Sequence, residues 1–370
     1  MKISIDKDKF LENLNIVNHA VASRTTQQIL ECILIKAEDN LRMYGNDLEL
    51  GIESAEIEAE IEEPGSLAIE AKMILDIVRK MPAGLIKIET DHRNIAKIKS
   101  GRSEFKILGQ PGDEFPLPET VDRDSGFEIN AADFKEMIKQ TIFSVALDES
   151  MPVLTGELLQ IKDGMIHLVS VDGFRISYRR SKAMEVDSEE NKSVIVPAKS
   201  LSELGRILPS DGESRLRFYI KDNHILFQTE NHTLISRLLE GEFIRYNQIF
   251  YEDFNTLVNI DRQQILMSLE RASLLTRDNK NDPVKLSIGQ DTIIITSKTE
   301  VGTSFDETFA EIDGNPLDIA FNPKYLIDAL RVIDDENVIL TFTGALSPCI
   351  IKGASVEYYK YLILPLRLKS

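Results

Sequence analysis

The side chains able to carry covalent or acid-base chemistry are few and scattered. The two cysteines lie in the apolar contexts Ile29-Leu30-Glu31-Cys32-Ile33-Leu34 and Cys349-Ile350-Ile351. An activated thiolate needs a cation, a histidine or a metal beside it, and neither context supplies one, so both thiols are expected to pack inside strands. Two cysteines also exclude a disulfide framework and a four-thiolate metal site. The histidines, His19, His92, His167, His224 and His232, never recur at the spacing of a helical ligand pair. Each reads as a strand or loop surface residue. Carboxylates do cluster, in Glu56-Ile57-Glu58-Ala59-Glu60-Ile61-Glu62-Glu63 and in Asp334-Asp335-Glu336. Both runs read as solvated faces, and the Glu/apolar alternation of the first is that of a half-buried strand. No glycine-rich phosphate loop or dinucleotide fingerprint occurs. The expectation is a chain without cofactor, metal or catalytic constellation.

One charged pattern does repeat. Lys72 and Arg79, Lys199 and Arg206, and Lys324 and Arg331 each stand two helical turns apart, so both cations of a pair project from one helix face. The three segments recur at a period of about 125 residues, which implies three copies of one unit in 370 residues. A second helix keeps the same register: Phe10, Leu14, Val17 and Val21 form an amphipathic stripe, repeated by Phe134, Ile138, Thr141 and Val145, and by Ile265, Leu269 and Ala272. Asp6, Asn130 and Asp261 precede these helices as N-caps. Alternating apolar residues around Asp, Asn or Gly turns predict hairpins over 33–44, 158–169 and 285–296.

Each unit therefore holds several strands and two helices, an α+β domain with helices on one face of an antiparallel sheet. Polar segments near 118–126 and 251–255 separate the units, giving domains 1–123, 124–250 and 251–370.

The chain carries 43 Lys+Arg against 61 Asp+Glu, a net charge of -18, and 42% apolar residues. Such acidity excludes a protein that coats nucleic acid by bulk attraction. The acidity lies outside the helices, since the three short ones are net positive and the three long ones neutral. The N-terminus reaches charge too early for a secretory segment, and no apolar run approaches the roughly 18 residues of a membrane span. A cytoplasmic location without membrane association is expected.

Phe321-Asn-Pro-Lys-Tyr-Leu-Ile-Asp-Ala-Leu330, Leu340-Thr-Phe-Thr-Gly344 and the terminal Tyr361-Leu-Ile-Leu-Pro-Leu-Arg-Leu368 resemble the bacterial DNA polymerase III beta subunits, the sliding clamps. Gly45–Leu50, Val171–Ile176 and Leu238–Phe243 resemble further stretches of that family in the same order. The resemblance implies three tandem clamp domains, antiparallel sheets outside and two helices per domain inside, closed head to tail into a dimeric ring.

A ring holds duplex DNA by topology, so the implied function is a processivity factor rather than an enzyme. Affinity for phosphates can then be weak and blind to sequence. By the resemblance, Arg24 lies in a loop that touches DNA, and Lys72, Arg79, Lys199, Arg206, Lys324 and Arg331 are candidates for the inner surface.

The family also implies a pocket for short peptides of the polymerase III catalytic subunit, the clamp loader and other clamp-motif proteins. Its lining maps onto Leu154, Val171, Gly173, Phe174, Arg175, Ile176, Ile244, Ile249, Pro348, Leu362, Leu364, Pro365, Leu366 and Arg367. The subunit contact maps onto Phe105 and Ile107, facing Leu274 and Leu275 of a second copy. A clamp paralogue serving another pathway and a hydrolase on a repeated scaffold are the competing readings.

Overall fold

A computed structural model describes all residues except 124–125, 149, 187–190, 251–252, 277–281, 356–357 and 368–370. The expected boundary positions 124 and 251 and the motif residue Leu368 therefore lie outside the described residues. Six α-helices are present among the described residues: α1 Lys7–Val17, α2 Ala71–Lys80, α3 Ala131–Thr141, α4 Ala198–Ile207, α5 Arg262–Ser273 and α6 Pro323–Val332. They alternate long-stripe and short-basic helices, as the repeat predicts.

The longer helices start where a side-chain oxygen meets the first free amides. Asp6 accepts from the amides of Asp8 and Lys9, Asn130 from those of Ala132 and Asp133, and Asp261 from that of Gln264. In each repeat a cation of the longer helix also reaches the carbonyl end of the shorter one. Lys7 Nζ donates to Met81 O at 2.6 Å, Lys135 Nζ to Leu208 O at 2.7 Å, and Arg262 to Leu330 O and Asp335 O at 3.3 and 3.0 Å. A positive group there satisfies free carbonyls and opposes the helix dipole.

The chain divides into two compact units. One comprises Met1–Lys135, Ala183–Glu189 and Lys199–Leu238; the other comprises Glu136–Lys182, Glu190–Ala198 and Leu239–Ser370. The first unit holds a five-stranded sheet, in the order 60–63, 2–6, 85–90, 95–100, 103–108, and a ten-stranded sheet. The ten-stranded sheet is fused at the ladder between Leu50–Ser54 and His232–Arg237, with Ile52 opposite Leu234.

The second unit holds a four-stranded sheet, in the order 302–309, 292–299, 284–288, 317–321, and a nine-stranded sheet. The nine-stranded sheet is fused where Arg175–Lys182 pairs with Tyr359–Ile363, Ile176 opposite Leu362. Within each unit the apolar helix faces pack on the sheets: Phe10, Leu14 and Val17 in the first, Ile265, Leu269 and Ala272 in the second, all buried.

The expected strand over 56–63 forms only at Glu60–Glu63. Ile61 pairs with Ile3 in the five-stranded sheet, whereas Ile57 bridges Leu41 of the ten-stranded sheet, so the run is a corner passing between sheets. Its outward glutamates keep the alternation that the sequence shows.

In the second unit Glu157 is fully buried, and its Oε2 accepts from the Thr141 hydroxyl at 2.6 Å while Oε1 has no hydrogen-bond partner. Burial pushes its carboxyl up to about 8, far above the ordinary glutamate value of 4.5. Between those two values the folded protein keeps a proton that the unfolded chain releases, so this group's contribution to stability falls as pH rises and levels off above the folded value. Glu157→Gln keeps an acceptor for Thr141 and removes the titration. The variant should be more stable than wild type by about 4 kcal/mol at pH 8.5 and within about 1 kcal/mol of it at pH 5, measured by urea unfolding across the pH range.

Candidate functional site

The helix cations lie on exposed helix faces, but most are already paired. Arg79 approaches Asp76 at 3.6 Å, Arg206 meets Glu203 at 2.5 Å, Lys324 meets Asp328 at 2.8 Å and Arg331 meets Glu270 at 2.6 Å. Lys199 pairs with Asp47. Lys72 and Arg24 are exposed, and no carboxylate pairs with either among the described residues. The Arg79–Asp76 and Arg331–Glu270 pairs are exposed on both sides and contribute little to stability, whereas Asp47, Glu203 and Asp328 are largely buried beneath cations that stay exposed.

His19, expected on the surface, is half-buried in a short 3-10 turn after α1 and sits 2.6 Å from Glu203. His232 likewise departs from the surface reading. It lies 3.2 Å from Asn13, and burial lowers its imidazole to about 4, so it is neutral near pH 7.

The peptide-pocket candidates share one end of the ladder between Arg175–Lys182 and Tyr359–Ile363. Leu154, Val171, Ile176 and Leu362 belong to one buried apolar cluster, against which Ile244 and Ile249 pack. Phe174, Leu364 and Arg367 are exposed, and Pro348, Pro365 and Leu366 are partly so. Gly173 adopts φ 90, a conformation that a side chain would strain, and so lets the chain turn sharply into the strand.

Arg175, one of the lining candidates, is buried. Only 6% of its side chain is exposed, and its guanidinium bonds Asp172 at 2.9 Å, Asp328 at 2.8 Å and Phe143 O at 2.6 Å. It also stacks 4.2 Å over the Tyr325 ring. The residue locks α6 beneath the turn 172–175, so it acts by positioning its neighbours. The sequence reading omits Tyr246, Tyr178 and Ile350, which join this cluster from separate strands and loops. Their aromatic and apolar character is visible in the sequence, but their convergence depends on strand register.

The subunit-contact candidates sit on an edge strand and at the end of α5. Phe105 and Ile107 lie on the edge strand Ser103–Leu108, Phe105 exposed and Ile107 nearly covered. Leu274, 55% exposed, caps α5, with Leu275 beside it. The adjacent edge strand Gly302–Phe309, which the sequence reading missed, alternates outward Phe305 and Phe309 with inward Asp306 and Thr308. Its alternation is legible, but its edge position is a property of the sheet.

Both cysteine thiols are buried. Burial pushes the Cys32 thiol up to about 11 and that of Cys349 well above its ordinary value, and a thiol so protonated is a poor nucleophile. Among the described residues no group of three or more His, Cys, Asp or Glu is arranged to hold a metal ion, and no helix is long and apolar enough to cross a membrane.

Comparison with known proteins covers the whole chain. Three family models match in tandem: the DNA polymerase III beta subunit N-terminal domain over residues 1–119, the central domain over 128–244 and the C-terminal domain over 247–367. The beta sliding clamps of Staphylococcus epidermidis and Staphylococcus aureus are each 35% identical to this chain, over 99% of both sequences. The solved DNA polymerase sliding clamp of Bacillus subtilis superposes with a TM-score of 0.95 at 33% identity, covering 100% of both chains. The DNA polymerase III subunit beta of Pseudomonas aeruginosa superposes with 0.94 at 27% identity and the same coverage. With three α+β domains in tandem along its full length, the chain belongs to the bacterial DNA polymerase III beta subunit family, the sliding clamps.

Proposed function

We propose that two copies of this chain close head to tail into the ring that encircles duplex DNA, and that the cluster at the end of the 175–182/359–363 ladder receives the linear peptides of its partners. Membership of the family makes the chain a non-catalytic processivity factor that works with DNA and the polymerase machinery. In this reading the domains span 1–123, 124–250 and 251–370, and the homodimer works in the cytoplasm. Partners of the pocket are then the polymerase catalytic subunit, the clamp loader and other proteins bearing the same short motif.

The observation that carries the ring is a pair of unpaired sheet edges with exposed aromatic side chains, Ser103–Leu108 and Gly302–Phe309. An open apolar edge invites aggregation unless a partner covers it. Their charges are complementary. Lys97, Lys99 and Lys106 surround the single Glu104 on the first edge, while Glu307 faces outward on the second. Joining two different patches by a rotation that closes gives a ring rather than a fibre. Lys72, Arg24 and the carboxylate-paired helix cations would line the hole, and an acidic exterior would keep DNA off other surfaces.

Replacing Leu274 and Leu275 together by Asp should raise the dimer dissociation constant by about 100-fold or more and yield monomers in analytical ultracentrifugation. A dimer as tight as wild type would remove this contact from the proposal. On nicked circular DNA the loaded protein should stay bound at high salt and be lost once the circle is cut, because only topology resists ion competition. Equal retention on circles and linear fragments would count against encirclement.

A further inference from the structure

The junction that ends in the peptide cluster has a second version in the first unit. There, Asp47 Oδ1 accepts from the amides of Glu49 and Leu50 at 3.0 and 2.7 Å, as Asp172 Oδ1 does from Phe174 and Arg175 at 2.9 and 3.1 Å. Leu48 and Gly173 both take left-handed backbone, at φ 76 and 90. The ladders end alike, the Arg237 amide donating to Glu49 O and the Leu364 amide to Phe174 O, both at 2.9 Å. With Ile235 opposite Gly51 and Leu362 opposite Ile176, the register equates Asn46 with Val171, Glu49 with Phe174 and Arg237 with Leu364. His224 opens its strand opposite Arg237, and the next pair, Ile225 with Ser236, corresponds to Cys349 with Ile363, which equates His224 with Pro348. The backbone is kept while apolar positions have become polar.

This junction encloses a cavity of about 330 Å³, lined by Asn46, Leu48, Glu49, Leu117, His224 and Arg237 among others. Gly51 allows Pro118 to form a wall, since a Cβ there would fall 2.5 Å from the proline ring. Leu48 holds a conformation that bulky residues avoid, and does so with 53% of its surface exposed at the rim. Leu117 adds a second half-exposed aliphatic group. His224 approaches Glu119 at 3.7 Å, whereas among the described residues no carboxylate pairs with Arg237. An unpaired guanidinium beside aliphatic side chains matches one carboxylate next to an aliphatic residue, and Glu49 and Glu119 disfavour a run of acids.

We propose that this cavity is a second linear-peptide site of the clamp, selective for a single acidic residue flanked by aliphatic ones, the carboxylate on Arg237 and an aliphatic side chain against Leu48 and Leu117. The inference rests on the reading of the first cluster as a peptide pocket, because the equivalence of the two junctions is its starting point.

The test is fluorescence anisotropy with the full-length protein and three labelled hexapeptides. These are Gly-Ser-Leu-Glu-Leu-Ser, its Gln counterpart Gly-Ser-Leu-Gln-Leu-Ser, and the apolar Gly-Ser-Leu-Leu-Phe-Ser. The acidic probe should saturate, and Arg237→Gln or the Gln probe should each weaken binding about tenfold, the loss of one charge-assisted hydrogen bond. Phe174→Ala should leave the acidic probe unchanged and weaken the apolar one. Acidic-probe binding that responds to Phe174→Ala and not to Arg237→Gln would overturn the second site while leaving the first pocket intact, as would absence of saturation up to millimolar probe. An apolar probe insensitive to Phe174→Ala, with the acidic one still sensitive to Arg237→Gln, would overturn the first pocket alone. Arg237 is exposed, so its variant should melt with wild type, and an unfolded variant is replaced by Leu117→Asp, which should also abolish acidic-probe binding.

Discussion

The fold depends on two antiparallel ladders that join strands far apart in the chain: Leu50–Ser54 with His232–Arg237, and Arg175–Lys182 with Tyr359–Ile363. Backbone amides and carbonyls buried at these joints must pair, and a slip of one residue would turn every core side chain to the wrong face. Each ladder thereby fixes the register of a sheet of nine or ten strands. It also fixes what lies at its end, because the turns at Asp47 and Asp172 are the points where the paired strands begin. The contact units cut through the middle repeat for this reason: strands 127–130 and 215–237 are tied to the first repeat, and 156–182 and 192–197 to the third.

What was legible in the sequence was local. The stripe Phe10, Leu14, Val17, the caps Asp6, Asn130 and Asp261, and the three hairpins follow from periodicity and from hydrogen bonds spanning a few residues. Long-range pairing has no such signature, and neither ladder is read from the sequence. The run Glu56–Glu63 shows the limit well. Its alternation is correct, yet the choice between one strand and a corner depends on which sheets Leu41 and Ile3 happen to occupy.

Side-chain roles diverged for the same reason. Nothing near Arg175 in Asp172-Gly173-Phe174-Arg175 announces that Asp328, far along the chain, will pair with it in the interior. His19 met Glu203 in a comparable way. Tertiary contacts supplied the partners, and the partners decided whether a polar residue is a surface group or a structural tie.

In the proposed ring, the carboxylate partners of Arg79, Lys199, Arg206, Lys324 and Arg331 would bear on motion as well as on charge. A bare cation would gain a full ion pair at each phosphate and lose it again one step along the duplex. A cation that already holds a carboxylate trades one anion for another, so the difference between successive positions is small. Helices built this way would present travelling DNA with low friction: a shallow corrugation instead of a row of wells, crossed by thermal motion without fuel.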